Sequence, residues 1–226
     1  MILCDLPYGV SSRAKWDEII PFNDLWEQYK RITKQHSSIV LTAIQPFSSK
    51  LVCSGLQMFK NEIIWVKNKV SGFLNSKKMP LRKHEVVLVF AKNKLKYNIQ
   101  KSHGHKPVNS FTHTGKGAIY GKTQNGFSGG GQTDRFPTSI INCSVLNNDS
   151  KERIHPSQKP VELFESLIKM YSNENDIVLD NCIGGGTTAI ACLNTNRHFI
   201  GIEKDEVFYE KTNQRIDSYK NMNKLF

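Results

Sequence analysis

The apolar positions of this chain fall into short runs separated by polar stretches with helical spacing. "MILCD" is followed by the helix pattern of "FNDLWEQYKRI", then by "SSIVLTAI" and a helix predicted from Phe47 to Met58. "NEIIWVK" and "HEVVLVFAK" read as two further strands, separated by the basic, Gly- and Pro-containing stretch "NKVSGFLNSKKMPLRK". The alternation resumes with "SIINCSV", a helix from Val161 to about Tyr171, "DIVLD", a helix from Thr187 to about Leu193, "HFIGIE", and a last helix from Asp205 to about Tyr219. Such alternation predicts βαβ units, a parallel sheet and an α/β fold. With 226 residues there is enough chain for one sizeable core carrying an insertion, so a single domain over 1–226 is expected.

Composition changes this picture in two places. The formal charge is +11, and the segment from Lys60 to Lys101, with eleven basic residues against Glu62 and Glu85, supplies +9 of it. Clustered Lys and Arg displace counterions from a phosphate backbone, so the expected partner is a polyanion. The stretch from Ser102 to Asp134 holds eight of the fifteen glycines and few aliphatic residues, as a long functional or disordered loop does. The five cysteines are scattered without a C-x-x-C pair or zinc-ligand spacing, which suits a reducing compartment. The chain lacks an 18-residue apolar run and a signal-peptide start, so a cytoplasmic protein without a membrane partner is expected.

Two strand ends carry chemistry-bearing residues. The first strand runs into Asp5, Leu6, Pro7, Tyr8 and Gly9, which taken alone is a turn. The second, "DIVLDNCIGGGTTAIAC", is a buried strand ending in Asp180, a glycine turn and a helix start, the layout in which backbone approaches a ligand and helix amides point at it. Glu203 ends the next strand 19 residues past Gly184, where a carboxylate can accept hydrogen bonds from ribose hydroxyls. Gly184, Gly186 and Ala189 also satisfy the G-x-G-x-x-A spacing of an NAD site. Against NAD stands Asp180, whose charge repels a pyrophosphate and suits an ammonium or sulfonium.

Together "DLPYG", "HPSQKPVELFESLI", "LDNCIGGGTT" and "GIEKD" resemble, in that order, the beta class of amino-methylating DNA methyltransferases, and "HEVVLVFAK" is similar to the strand after their catalytic lobe. Phage and prophage site-specific enzymes resemble the chain most. The resemblance implies a Rossmann-like S-adenosylmethionine-dependent sheet with a catalytic region over 1–60, a basic DNA-recognition insertion over about 67–135 and a cofactor region over 151–226. It implies S-adenosylmethionine as cofactor, double-stranded DNA as partner and a restriction-modification setting; it admits a homodimer and implies no metal. The reaction implied is methyl transfer to an exocyclic amine of a flipped base, adenine N6 before cytosine N4.

In the resemblance the Asp5 carboxylate and Leu6 carbonyl accept the two amino hydrogens, Pro7 holds that geometry and Tyr8 stacks on the base. Asp180, Cys182, Gly184, Gly186, Thr187, Thr188 and Glu203 would hold the cofactor, with Lys159 near its carboxylate. Lys77, Lys78, Arg82 and Lys83 would meet DNA. The chain departs from the family pattern at Leu6, where a proline is usual, and at Asn181 and Cys182, where Pro and Phe are usual. Family members also carry a strand and helix before "MILCD", so a missing or shortened amino-terminal strand is expected. Two rivals stay open: an inactive methyltransferase-like DNA-binding protein, and an NAD-dependent oxidoreductase.

Overall fold

Strands such as "IVLTA" and "VVLVF" present apolar side chains at consecutive positions, which demands cover on both faces of a sheet. The computed structural model, which describes residues 1–10, 16–113, 127–147, 149–150 and 153–223, meets that demand. In chain order the elements are β1 (Ile2–Cys4), α1 (Phe22–Ile32), β2 (Ile39–Ala43), α2 (Phe47–Ser54), β3 (Phe59–Ser71), β4 (Arg82–Phe90), β5 (Phe111–His113), β6 (Phe127–Gly129), β7 (Ile140–Asn142), α3 (Val161–Tyr171), β8 (Ile177–Asp180), α4 (Thr187–Asn194), β9 (His198–Gly201) and α5 (Glu206–Asn223). The chain divides into a large unit, Met1–Asn98 with Ser139–Phe226, and a small unit, Ile99–Thr138. The stretch 67–98 thus lies in the large unit, and 114–126 of the glycine-rich segment lies outside the described residues.

The large unit is built on a seven-stranded sheet of order β7-β3-β4-β2-β1-β8-β9. Alternate residues feed two cores. Leu3, Val40, Trp65, Val87, Val89 and Val178 pack under α3 and α4, whereas Cys4, Ile39, Leu41, Leu88 and Phe90 pack under α1 and α2. Burying one such aliphatic or aromatic side chain contributes roughly 1.5–3 kcal/mol, so the two layers supply the main driving force. In the small unit β5 and β6 pair antiparallel, Phe111 opposite Gly129.

The expected parallel sheet is corrected to a mixed one: β4 runs antiparallel to both β2 and β3, whereas β1-β2, β1-β8, β8-β9 and β3-β7 are parallel. Only 72–81 join β3 to β4, too few for the crossover of a dozen or more residues that parallel neighbours need. The predicted Phe47–Met58 helix also breaks, at Gly55, where α2 gives way to a 3-10 turn over Leu56–Met58. A Cβ at Gly55 would stand 2.5 Å from Trp26 Cζ2, so the chain passes hard against α1 there.

Connections leave β1 for β2 on one side and reach β8 and β9 on the other, so the strand order reverses between β1 and β8. In open α/β sheets the crevice outside the carboxyl ends at such a point is where ligands bind. Asp5 follows β1 there, and Asp180 ends β8.

Trp65 ties the core to the next segment, being 1 % exposed with its indole Nε1 donating to the Cys143 carbonyl at 2.8 Å. Trp65→Phe keeps an aromatic side chain but loses the indole N–H, which leaves the Cys143 carbonyl without that donor in the core. The expected loss is about 1–3 kcal/mol, read as a lower urea midpoint with an unchanged slope.

Candidate active site

Strand periodicity places the charged groups. On the face that packs under α3, β1 continues from Leu3 to Asp5, β2 from Val40 to Thr42, β4 has Glu85 two residues before Val87, and β3 continues from Trp65 to Lys67. The apolar core therefore ends in a row of polar side chains along one end of the sheet. Lys159, two residues before α3, reaches into that row.

Lys159 Nζ donates to Asp5 Oδ2 at 2.8 Å and lies 3.5 Å from Glu85 Oε2, whose Oε1 accepts from Lys67 Nζ at 3.1 Å. The other Asp5 oxygen accepts from the hydroxyls of Tyr8 and Thr42, each at 2.5 Å. Burial disfavours the Lys159 ammonium, but the Asp5 and Glu85 carboxylates outweigh it and hold its pKa above the ordinary lysine value. Burial likewise pushes Glu85 up, and Lys159 and Lys67 overcome it, leaving Glu85 below the usual carboxylate range. Burial and then the Asp5 charge raise the Tyr8 phenol well above its ordinary value, so it stays a donor.

The turn after Asp5 is shaped by a carboxylate as well. Asp17 accepts from the amides of Tyr8, Gly9 and Val10 at 2.7, 2.9 and 2.8 Å, which fixes three successive residues after Pro7. Among the described residues none donates to the Leu6 carbonyl, although the Leu6 side chain is buried. Tyr8 sits with its ring 5.3 Å from Phe47 and with Lys159 Nζ 5.4 Å from its centroid.

The glycine loop is held from below. Asp180 is 2 % exposed; one oxygen accepts from the Cys182 amide at 3.0 Å and the other from the Thr188 hydroxyl. Burial lifts its pKa to about 6. Glu203 accepts from the Gly184 amide at 2.9 Å and the Asp205 amide at 3.0 Å, joining the loop to the segment after β9. The Thr187 hydroxyl donates to the Lys159 carbonyl at 2.9 Å, which links this loop to the charged row.

Both strand ends open into one cavity of about 740 Å³, lined by Asp5, Leu6, Pro7 and Tyr8 on one side and by Asp180, Cys182, Gly184, Gly185, Thr187 and Glu203 on the other. Lys67, Glu85 and Lys159 form part of its wall. His155 lines it too, its ring edge-on to Trp16 at 5.1 Å and to Phe208 at 4.4 Å; burial lowers its pKa, so it is neutral near pH 7. Gly186 and Thr188 are not among the lining residues. At Gly186, with φ 75°, a Cβ would meet Thr212 Cγ2 of α5 at 2.9 Å, so this glycine serves the turn and its packing.

Lys159, expected from the resemblance near a cofactor's carboxylate, lines the cavity with its ammonium shared by Asp5 and Glu85 and is 7 % exposed. Lys67, counted from the sequence in a basic DNA-facing run, is buried against Glu85. Of that run Lys92 donates to the Thr33 carbonyl and Lys96 pairs with Asp176, whereas Lys77, Lys78, Arg82 and Lys83 are exposed and, among the described residues, make no ion pair. Sequence reasoning missed Asp17, Thr42, Lys67 and Glu85. A signal existed for Thr42 and Glu85, polar residues at the ends of otherwise apolar strand patterns; Asp17 sits in irregular chain and had none.

A family model described as a DNA methylase, N6_N4_Mtase, matches residues 1–214. Type II methyltransferase M.HpaI of Haemophilus parainfluenzae is 26% identical over 230 residues, covering 96% of this chain and 68% of that protein. Type II methyltransferase M1.MboII of Moraxella bovis is 27% identical over 233 residues, covering 94% and 87%. Among solved structures the M1.HpyAVI-SAM complex shares the fold with a TM-score of 0.62 at 24% identity, covering 95% of this chain and 87% of that one. Among the described residues no helix is long and apolar enough to cross a membrane, and no group of three His, Cys, Asp or Glu could hold a metal ion.

Lys159→Met should cost about 3–5 kcal/mol, because it leaves the largely buried Asp5 carboxylate without a charged partner and Glu85 with Lys67 alone. The pH dependence follows from the two shifts. Lys159, raised in the folded state, contributes stability that is complete below about pH 10.4 and is lost as pH rises through its folded value. Glu85, lowered in the folded state, contributes stability present above about pH 4.3 and lost as pH falls through its folded value. Urea midpoints of both proteins across pH 2 to 11 check this: the gap between them should be widest on the plateau and shrink at both the acid and the alkaline end.

Proposed function

The chain belongs to the N6_N4_Mtase family of DNA methylases, and from that premise we propose that the cavity transfers a methyl group from S-adenosylmethionine to the exocyclic amine of a base flipped out of double-stranded DNA, adenine N6 in preference to cytosine N4. The observation that carries this reading is the single cavity shared by Asp5 and the glycine loop. The preference for adenine rests on the aspartate that heads the "DLPYG" motif.

The residues fit the cofactor. Gly184 and Gly185 put bare backbone against the cavity, and a Cβ at Gly185 would stand 2.5 Å from Gln158 Oε1. Asp180 and Glu203 give the wall negative charge, which suits a cationic sulfonium, and Glu203 has lone pairs left for ribose hydroxyls after its two amide contacts. When bound, S-adenosylmethionine supplies an electrophilic methyl group on sulfur.

An exocyclic amine conjugated with its ring is a poor nucleophile, so the site must draw its lone pair out of conjugation. Asp5 Oδ2, engaged among the described residues only by Lys159, keeps a lone pair for one amino hydrogen, and the Leu6 carbonyl takes the other. Two acceptors set by the chain fix where the amine's lone pair points. Pro7 brings no competing amide donor between them, and Asp17 keeps the turn from relaxing. Tyr8 stacks on the base while its hydroxyl holds the other Asp5 oxygen. As nitrogen gains positive charge, the Asp5 carboxylate stabilises it electrostatically.

Asp5→Ala should lower single-turnover methyl transfer several hundredfold, as loss of one preorganised partner costs about 3–4 kcal/mol, while DNA affinity persists. Tyr8→Phe keeps the stacking ring and loses one hydrogen bond to Asp5, so a milder fall of about tenfold is expected. The test incubates the protein with labelled S-adenosylmethionine and mixed-sequence DNA, identifies the methylated nucleoside by mass spectrometry and maps its site by sequencing. Full activity of folded Asp5→Ala protein would overturn the assignment of this site, and N4-methylcytosine as product would overturn the preference for adenine.

A further inference from the structure

Among the described residues of the large unit, the turn between β3 and β4 carries the most exposed apolar side chain, that of Leu74. Leu74 is 101% exposed, Phe73 66% and Met79 58%. The turn is itself well built: Gly72 takes φ 91°, the Asn75 amide donates to the Gly72 carbonyl at 2.9 Å, and the Lys78 and Met79 amides donate to the Asn75 carbonyl at 2.8 and 3.0 Å. Phe73 and Leu74 therefore stand on a hydrogen-bonded scaffold.

Two further observations say what meets them. Between Glu62 and Glu85 the chain carries no acidic residue, and the exposed Lys69, Lys77, Lys78, Arg82 and Lys83 flank the apolar tip in the chain. Such a mixture suits a partner that is anionic outside and apolar between its stacked layers. The wall of the cavity also runs along β3 through Lys67, Lys69, Val70 and Ser71, so the tip begins at the residue after its rim. Apolar side chains inserted between base steps unstack and kink a duplex, with basic neighbours holding the phosphates.

We propose that Phe73 and Leu74 form a wedge that enters the DNA duplex beside the cavity and fills the gap in the stack while the target base occupies the cavity. This deepens the reading above and rests on it. The lysines hold the duplex and the wedge pays for opening it, so the two groups fail differently when removed.

The experiment compares wild type, Phe73→Ala/Leu74→Ala and Lys77→Gln/Lys78→Gln on two duplexes that carry the mapped methylation site, one fully paired and one with the target base opposite an abasic position. Both double variants change only exposed side chains, and thermal unfolding checks that they fold. In the wedge variant the expected result is a tenfold or larger loss of single-turnover rate on the paired duplex, recovery to within about threefold of wild type on the abasic duplex, and an unchanged salt slope of binding. The lysine variant should bind both duplexes more weakly and lose roughly 0.9 of log-log salt slope for each phosphate contact removed. Equal rates of wild type and wedge variant on the paired duplex, or an equal loss on both duplexes, would overturn the wedge. So would light scattering showing a wild-type dimer that the wedge variant dissolves, since that assigns the tip to a second copy of the chain. Failure of the wild type to methylate either duplex would instead count against the proposed reaction.

Discussion

The structure depends on how four charges are held at the edge of a hydrophobic core. Asp5, Glu85, Lys67 and Lys159 alternate in sign along one end of the sheet, and Lys159 stands between the two acids. Desolvating any one of them alone costs several kcal/mol, which is why each is found with an opposite charge. The arrangement has a functional consequence. A lysine locked on one side of Asp5, with the Tyr8 and Thr42 hydroxyls on the other, leaves that carboxylate little freedom to turn. In the proposed reaction Asp5 would have to meet an amine at one angle, and such restraint serves that role because small errors in geometry are costly in rate.

The same device recurs in the backbone around the cavity. Asp17 gathers the amides of residues 8–10, Asp180 takes the amide of Cys182, and Glu203 takes those of Gly184 and Asp205. Charged acceptors make stronger hydrogen bonds to amides than neutral ones do. Both loops that line the cavity are thus shaped by carboxylates. Asp180 shows the cost, since its burial lifts its pKa to about 6. The hydroxyl of Thr188 and the amide of Cys182 oppose that shift, and a cation in the cavity would oppose it further.

The two cavity-lining loops meet because of strand order. β1 and β8 are neighbours although some 175 residues separate them, and the Thr187 hydroxyl bonded to the Lys159 carbonyl ties the glycine loop to the segment that positions Asp5. A shift in either loop is therefore felt by the other. In the proposed reaction the methyl donor and the acceptor base would share this one cavity, whose lining takes in both loops.

The sequence by itself determined the elements whose signals are local. Alternation marked the strands, the acid-x-Pro-Tyr end and the glycine turn marked both sides of the cavity, and the α/β class followed from their order. Thr42 and Glu85 were half visible, as polar breaks in apolar strands, but their partners were not. Only the tertiary structure decided that β4 runs antiparallel, that Lys67 leaves the DNA-facing run to neutralise Glu85, that Lys159 serves Asp5, and that Asp17 folds the turn. The reason is physical: periodicity reports which face a side chain takes, whereas its charge partner depends on which strands and loops lie beside it. Asp5 and Lys159 are 154 residues apart in the chain and 2.8 Å apart in space, a contact that the order of the sheet creates and no local pattern encodes.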